Sequence, residues 1–182
     1  MKTVFKFKAL AFFVSAFFVS SVAFAQMDNG KTIPSPRDSV SGTAAGATIK
    51  INFGSPSVRG RVIFGGTSPL EAYGKVWRAG ANMMTTFETS KDIMVEGKKL
   101  PAGKYSLFAT PGESSWNIIF NSVTGQWGIH RDGTANDDPA KDVLVVTVAP
   151  MKHALTERLT YTITSTGFAL VWENVAVPVK IN

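Results

Sequence analysis

The chain has 182 residues, 19 Lys and Arg against 13 Asp and Glu, a formal charge of +6 and no cysteine. Without cysteine there is no disulfide framework, thiolate zinc site, cysteine nucleophile or lipid-anchored N-terminus, so stability has to come from a core. Lys2, Lys6 and Lys8 belong to the first 25 positions; removing them leaves 16 cations against 13 acids, about +3, with no clustered Lys/Arg stripe of the kind that neutralises a phosphate backbone, which argues against a nucleic-acid partner.

Those lysines precede an apolar run from Ala9 through Val14 and Phe17 to Phe24 that closes on Ala23-Phe24-Ala25. This is the pattern of a secretory signal peptide over residues 1–25 with an A-x-A cleavage site, which makes Gln26 the first residue of the exported chain. No second apolar stretch approaches the roughly 20 residues needed to span a bilayer. Residues 26–37 are polar and proline-containing and read as a loose N-terminal segment. Residues 38–182 then form a single domain, large enough to bury a core without covalent staples.

Within that domain the dominant period is two. Ile49, Ile51 and Phe53 alternate with Thr48, Lys50 and Asn52, as in a strand with one buried face. The alternation returns at Trp116, Ile118 and Phe120, at Leu159, Tyr161 and Ile163, at Phe168, Leu170 and Trp172, and at Val175, Val177, Val179 and Ile181. Thr85 to Thr89 reads as another strand. Turn chemistry separates these runs at Glu96-Gly97, Pro101-Ala102-Gly103, Pro111-Gly112, Thr124-Gly125 and Thr166-Gly167. No helical period is sustained, and there is no internal repeat. The expectation is an all-β fold, an antiparallel β-sandwich of jelly-roll or immunoglobulin type with about eight to ten strands. Pro178 predicts an edge position or a bulge in the last strand, and Asp132 to Lys141 predicts a long exposed loop.

The blocks SPRDSV, FGSPSVRGRVIFGG, YGKVWRAGAN with TTF, GKKLPAGKYSLFATPGESSWNIIFN, QWG, KDVLVVTV and LVWENVAVPV follow one another from Ser35 to Ile181. In these blocks the chain resembles the family called domain of unknown function 2911, secreted proteins of Bacteroidetes-type bacteria. The resemblance implies export but no established reaction, so no catalytic residue is carried over. In the family pattern an acidic residue commonly follows Gly-Ala-Asn, whereas here Met83 and Met84 follow Asn82. A methionine cannot carry a proton or bind a hard metal, so an acid/base role at that position is not expected here.

The usual catalytic and metal-binding frames are sparse. His130 and His153 lie in different segments without H-E-x-x-H spacing, so no metal site and no cofactor are expected. No G-x-S-x-G elbow accompanies the serines. Glu88, Glu113 and Glu173 are the acids nearest the strands and the candidates for a carboxylate pair of glycosidase type, against the alternative that each is the solvated side of a strand. Arg59-Gly60-Arg61 through Gly65-Gly66 offers guanidiniums and close backbone approach to an anion, but lacks the order of a P-loop.

The stretch from Tyr73 to Phe87, YGKVWRAGANMMTTF, admits two readings. In one it is architecture: Trp77 closes an end of the sandwich, Arg78 bonds carbonyls, Gly80 permits a bend and Asn82 forms an Asx turn. In the other, Arg59, Arg61, Trp77, Arg78 and Asn82 converge with Trp127 and His130 on a shallow pocket for a sugar, a peptide or another small molecule. The functional expectation is a non-catalytic binding or interaction module, periplasmic or otherwise envelope-associated, with an envelope protein as a further possible partner. The alternative from a different class is a secreted hydrolase of glycan or peptide. A scaffold that pairs through an exposed sheet edge is a third.

Overall fold

The structure, a computed structural model, describes residues 34–182. The signal-like run over 1–25 and most of the 26–37 segment lie outside the described residues. The rest is all-β: β1 (Arg37–Ala44), β2 (Ala47–Gly54), β3 (Thr86–Thr89), β4 (Ile93–Val95), β5 (Lys98–Leu100), β6 (Gly103–Thr110), β7 (Trp116–Asn121), β8 (Asp142–Val148), β9 (Met151–Thr164) and β10 (Gly167–Lys180). A single 3-10 turn at Pro139–Lys141, capped by the Asp138 side chain, precedes β8. No helix among the described residues is long and apolar enough to cross a membrane.

Six strands form an open antiparallel sheet in the order β1-β2-β3-β6-β7-β8, a meander interrupted between β3 and β6 by the β4–β5 hairpin, whose Met94 exchanges backbone hydrogen bonds with Asn182 and whose Ile93, Val95 and Leu100 join the core. That hairpin turns on Glu96 and Gly97, with φ of 47° and 75°, the left-handed pair that matches strand twist in a two-residue loop. The β9–β10 ribbon forms the second layer. Core side chains meet across the gap: Phe53 of β2 against Tyr161 of β9 at 4.8 Å between ring centroids, and Phe87 of β3 against Phe168 of β10 at 5.4 Å. The result is the expected β-sandwich, its main sheet left open.

Period-two patterning explains which residues form this core. Ile49, Ile51 and Phe53 on β2 and Trp116, Ile118 and Phe120 on β7 are all buried on the face toward the ribbon. Strand β1 escapes such reading, because Val40 and Ala44 are the only apolar residues of RDSVSGTA; it is held by full pairing with β2 instead. Pro178 follows the last β9 pair, Ala176 with Met151, so its missing N–H breaks no ladder. The register shifts of β10 fall earlier, around Trp172 and Asn174.

The opposite face of the main sheet is covered in part by the chain between β7 and β8. A polar row, Asn52, Thr86, Ser106 and Asn121, crosses β2, β3, β6 and β7 by register. Asn121 Nδ2 donates to Asp138 O and to Asp142 Oδ1, at 2.9 and 2.8 Å, and Ser106 Oγ donates to Val123 O at 2.6 Å. These buried polar groups are thereby satisfied, and the loop is fixed over the sheet. Beneath it Met84, Phe108 and Ile119 form a small second core, with Val76 and Ala135 against them. The loop predicted to be exposed is thus half-buried at Ala135, Asn136 and Asp137.

Candidate functional site

Most of YGKVWRAGAN is architecture. Trp77 exchanges backbone hydrogen bonds with Ala109 of β6, 2.8 Å each way, so the stretch lies alongside the sheet. Its indole stacks on Trp172 with centroids 5.8 Å apart and meets Phe64 edge-on at 5.9 Å, while Nε1 donates to Gly80 O at 3.1 Å. Ala79 O accepts from Tyr161 Oη at 2.7 Å and from Thr85 Oγ1 at 3.1 Å. The turn then abuts the end of β2 so closely that a Cβ on Gly54 would sit 2.0 Å from Ala81 O. Asn82 adopts φ of 60° but does not close an Asx turn on its own backbone; its Nδ2 reaches Ser35 O at 2.8 Å and ties down the N-terminal segment.

Trp77 is therefore a buried core residue. Arg59 is exposed, and its backbone N–H bonds Glu157 Oε1 of β9 at 2.9 Å. Arg61 is also exposed and donates to Val58 O and Ser57 O, at 3.1 and 2.6 Å. Trp127 is 52% exposed on the covering loop. His130 is exposed in the turn that returns from Ile129 to Ala135, its N–H bonded to Thr134 O at 2.8 Å. The seven candidates do not converge on a single pocket. Nor do the three acids: Glu88 lies on the outer face of β3, Glu113 in the β6–β7 turn and Glu173 at the β10 irregularity.

Arg78 keeps its interest. It is half-buried beneath the covering loop, where Gly128, at φ 79°, brings backbone so near that a Cβ would lie 2.8 Å from Arg78 Cδ. Its Nε makes a long bond to Gly80 O at 3.4 Å, and its buried Nη1 has no partner. Burial holds its pKa below the ordinary value, and the charge of Glu71 opposes that shift. An unpaired guanidinium N–H is costly, so this position is held by the surrounding packing.

Glu71 is the residue that sequence reasoning missed. It lies between Leu70 and Ala72, and its backbone N–H bonds Ile63 O at 2.9 Å. With Lys75 and Val76 it forms one wall of a cleft of about 440 Å³, whose other wall is Asp132, Thr134 and Asp137 of the covering loop. Burial pushes the Glu71 carboxyl up to about 8, against the opposing pull of Arg78 and Arg61. At neutral pH it is mostly protonated and can donate a hydrogen bond. Asp132 has the opposite tendency. Its Oδ1 accepts from Thr134 Oγ1 and Thr134 N, at 2.7 and 2.9 Å, and these bonds hold its carboxyl below the ordinary value. Only the apolar neighbours of Glu71 hinted at its burial in the sequence.

The family model described as "Protein of unknown function (DUF2911)" matches residues 35–181. The chain belongs to the DUF2911 family. The match begins at Ser35, the residue that Asn82 anchors, and extends through Ile181, so it takes in the whole sandwich and both walls of the cleft. No curated protein and no solved structure matches the chain. Within this DUF2911 domain no group of three or more His, Asp or Glu side chains is arranged to hold a metal ion among the described residues.

Proposed function

We propose that this DUF2911 protein is an exported, periplasmic binding module, and that its ligand occupies the cleft between residues 70–76 and 132–137. The observation that carries the reading is a cleft between walls of opposite charge, Lys75 beside the half-buried Glu71 on one and Asp132 with Asp137 on the other, with burial raising the Glu71 carboxyl toward its neutral form. That arrangement favours a small zwitterion, an amino acid or the end of a short peptide. The ligand's carboxylate accepts from Lys75 and from the neutral Glu71, and its ammonium donates to the aspartates. A cleft of about 440 Å³ is within the size range of small-molecule sites. Export rests on the lysine-flanked apolar run ending at Ala25; fractionation with N-terminal sequencing that finds Gln26 first in the periplasm supports it, and recovery of the uncut chain in the cytoplasm refutes it.

The binding test is thermal unfolding against amino acids, short peptides, sugars and metal ions. A ligand at about a hundred times its Kd adds roughly 2.7 kcal/mol to stability. Stabilisation by a peptide that is lost in Lys75→Gln and Asp137→Asn establishes the site, and no response from any amino acid or peptide refutes it. A second reading is favoured by one observation: Glu71 and Asp132 line the same cleft with their carboxyls pushed in opposite directions. Such a division is how carboxylates split acid and base roles. Turnover of a glycan or peptide panel that disappears in Glu71→Gln distinguishes a hydrolase from a binder.

A further inference from the structure

A second cleft, of about 360 Å³, opens on the outer face of the main sheet where β2, β3 and β6 emerge from under the covering loop. Register places Lys50 of β2 opposite Glu88 of β3, and Glu88 opposite Lys104 of β6, in one row across three strands. Cross-strand neighbours of opposite charge ordinarily pair. Yet among the described residues the one ion pair is Lys99 with Asp92, so Glu88 closes an ion pair with neither lysine. Arg37 of β1 is the third cation in the cleft. It donates from Nη1 to Met83 O and Met84 O, each at 3.3 Å, and these neutral carbonyls do not balance its charge. Burial moreover holds Arg37 below the ordinary arginine value. Three cations against one carboxylate leave the cleft with a net +2. Between them lie uncharged hydrogen-bonding groups: the Thr86 hydroxyl and the Asn52 and Gln126 amides.

We propose that this cleft binds the phosphate or sulfate ester of a sugar. A tetrahedral oxyanion, doubly charged in the phosphate ester and singly charged in the sulfate ester, meets the excess charge, since Lys50 and Lys104 reach it from strands on either side of β3 and Arg37 from the β1 edge. The amides and hydroxyl serve the sugar ring. The adjoining row on the same face, Asn52, Thr86, Ser106 and Asn121, is paired strand to strand, so the cleft is formed before a ligand arrives. The site shares no lining residue with the cleft at Glu71, so the two can be tested apart.

The test is calorimetric titration of the full exported chain with glucose 6-phosphate, glucose 6-sulfate, glucose and inorganic phosphate, backed by amide chemical shifts. We expect either ester to bind at least about tenfold tighter than glucose, weakening as salt is raised. The largest shifts should fall at Asn52, Thr86 and Gln126. In Lys50→Gln/Lys104→Gln the affinity should fall at least about tenfold, whereas Lys152→Gln, an exposed charge on β9, should leave it unchanged. The proposal is overturned if neither ester binds at about 10 mM, a concentration that would reveal even millimolar affinity. It is equally overturned if Lys152→Gln weakens binding as much as the double variant, or if the shifts of the unsubstituted protein map elsewhere.

Discussion

Replacing Glu71 by glutamine removes a titrating group from a place where its charged form is disfavoured, and the pH dependence of stability should report this directly. The folded carboxyl is raised from 4.5 to about 8. Its contribution is therefore fully present below the unfolded value and is lost as pH rises through the folded one. The limiting loss is (8 − 4.5) multiplied by about 1.4 kcal/mol per pH unit, or about 5 kcal/mol. By pH 7 the same two values give about 3 kcal/mol. A carboxylate that swings toward Arg78 on ionising recovers part of this, so both figures are upper limits. The assay is urea unfolding of the wild type and Glu71→Gln from pH 4.5 to 8.5. Every other carboxyl titrates alike in both proteins, so the difference between the two curves isolates Glu71. The glutamine variant should gain on the wild type steadily through this window, by up to about 3 kcal/mol at pH 7. A difference that stays flat within about 0.5 kcal/mol means that Glu71 ionises like a solvated glutamate, and the protonated donor assigned to the cleft is then wrong.

Trp77→Ala should cost about 3–5 kcal/mol in chemical denaturation, because it empties the stack on Trp172 and Phe64 and frees Gly80 O; a loss under about 1 kcal/mol would put the indole outside the core. Gly54→Ala forces a methyl group to within 2.0 Å of Ala81 O, whereas Gly46→Ala meets only open space and pays for its φ of 72°. Melting temperatures should fall much further for Gly54→Ala, and equal losses would contradict the close approach of the Ala79–Ala81 turn to β2. Tyr161→Phe removes the buried donor to Ala79 O but leaves Thr85 Oγ1 in place, so unfolding curves should show a cost of about 1 kcal/mol; a cost above about 3 kcal/mol would mean that the hydroxyl does more than this one bond.

The sequence by itself determined the class of fold. Alternation at Ile49 to Phe53 and Trp116 to Phe120, broken by Glu96-Gly97 and Pro101-Ala102-Gly103, is a local signal, because side-chain period and turn dihedrals depend on near neighbours. The same locality offered an architectural reading of Trp77 and Gly80 beside a binding one and, through the motif blocks, pointed to the family. It could not give β1, where Val40 alone marks a buried face near the middle of the strand and pairing with β2 supplies the rest. Nor could it give the cleft. Glu71 and Asp132 come together only because Asn121 and Ser106, on neighbouring strands, fasten the 122–138 loop across the outer sheet face. The pKa of Glu71 likewise depends on what that loop buries, and the net charge of the second cleft on which strands place Lys50 and Lys104 on either side of Glu88. Solvation and Coulomb interactions act through space between residues distant in the chain, so those properties waited on the tertiary structure.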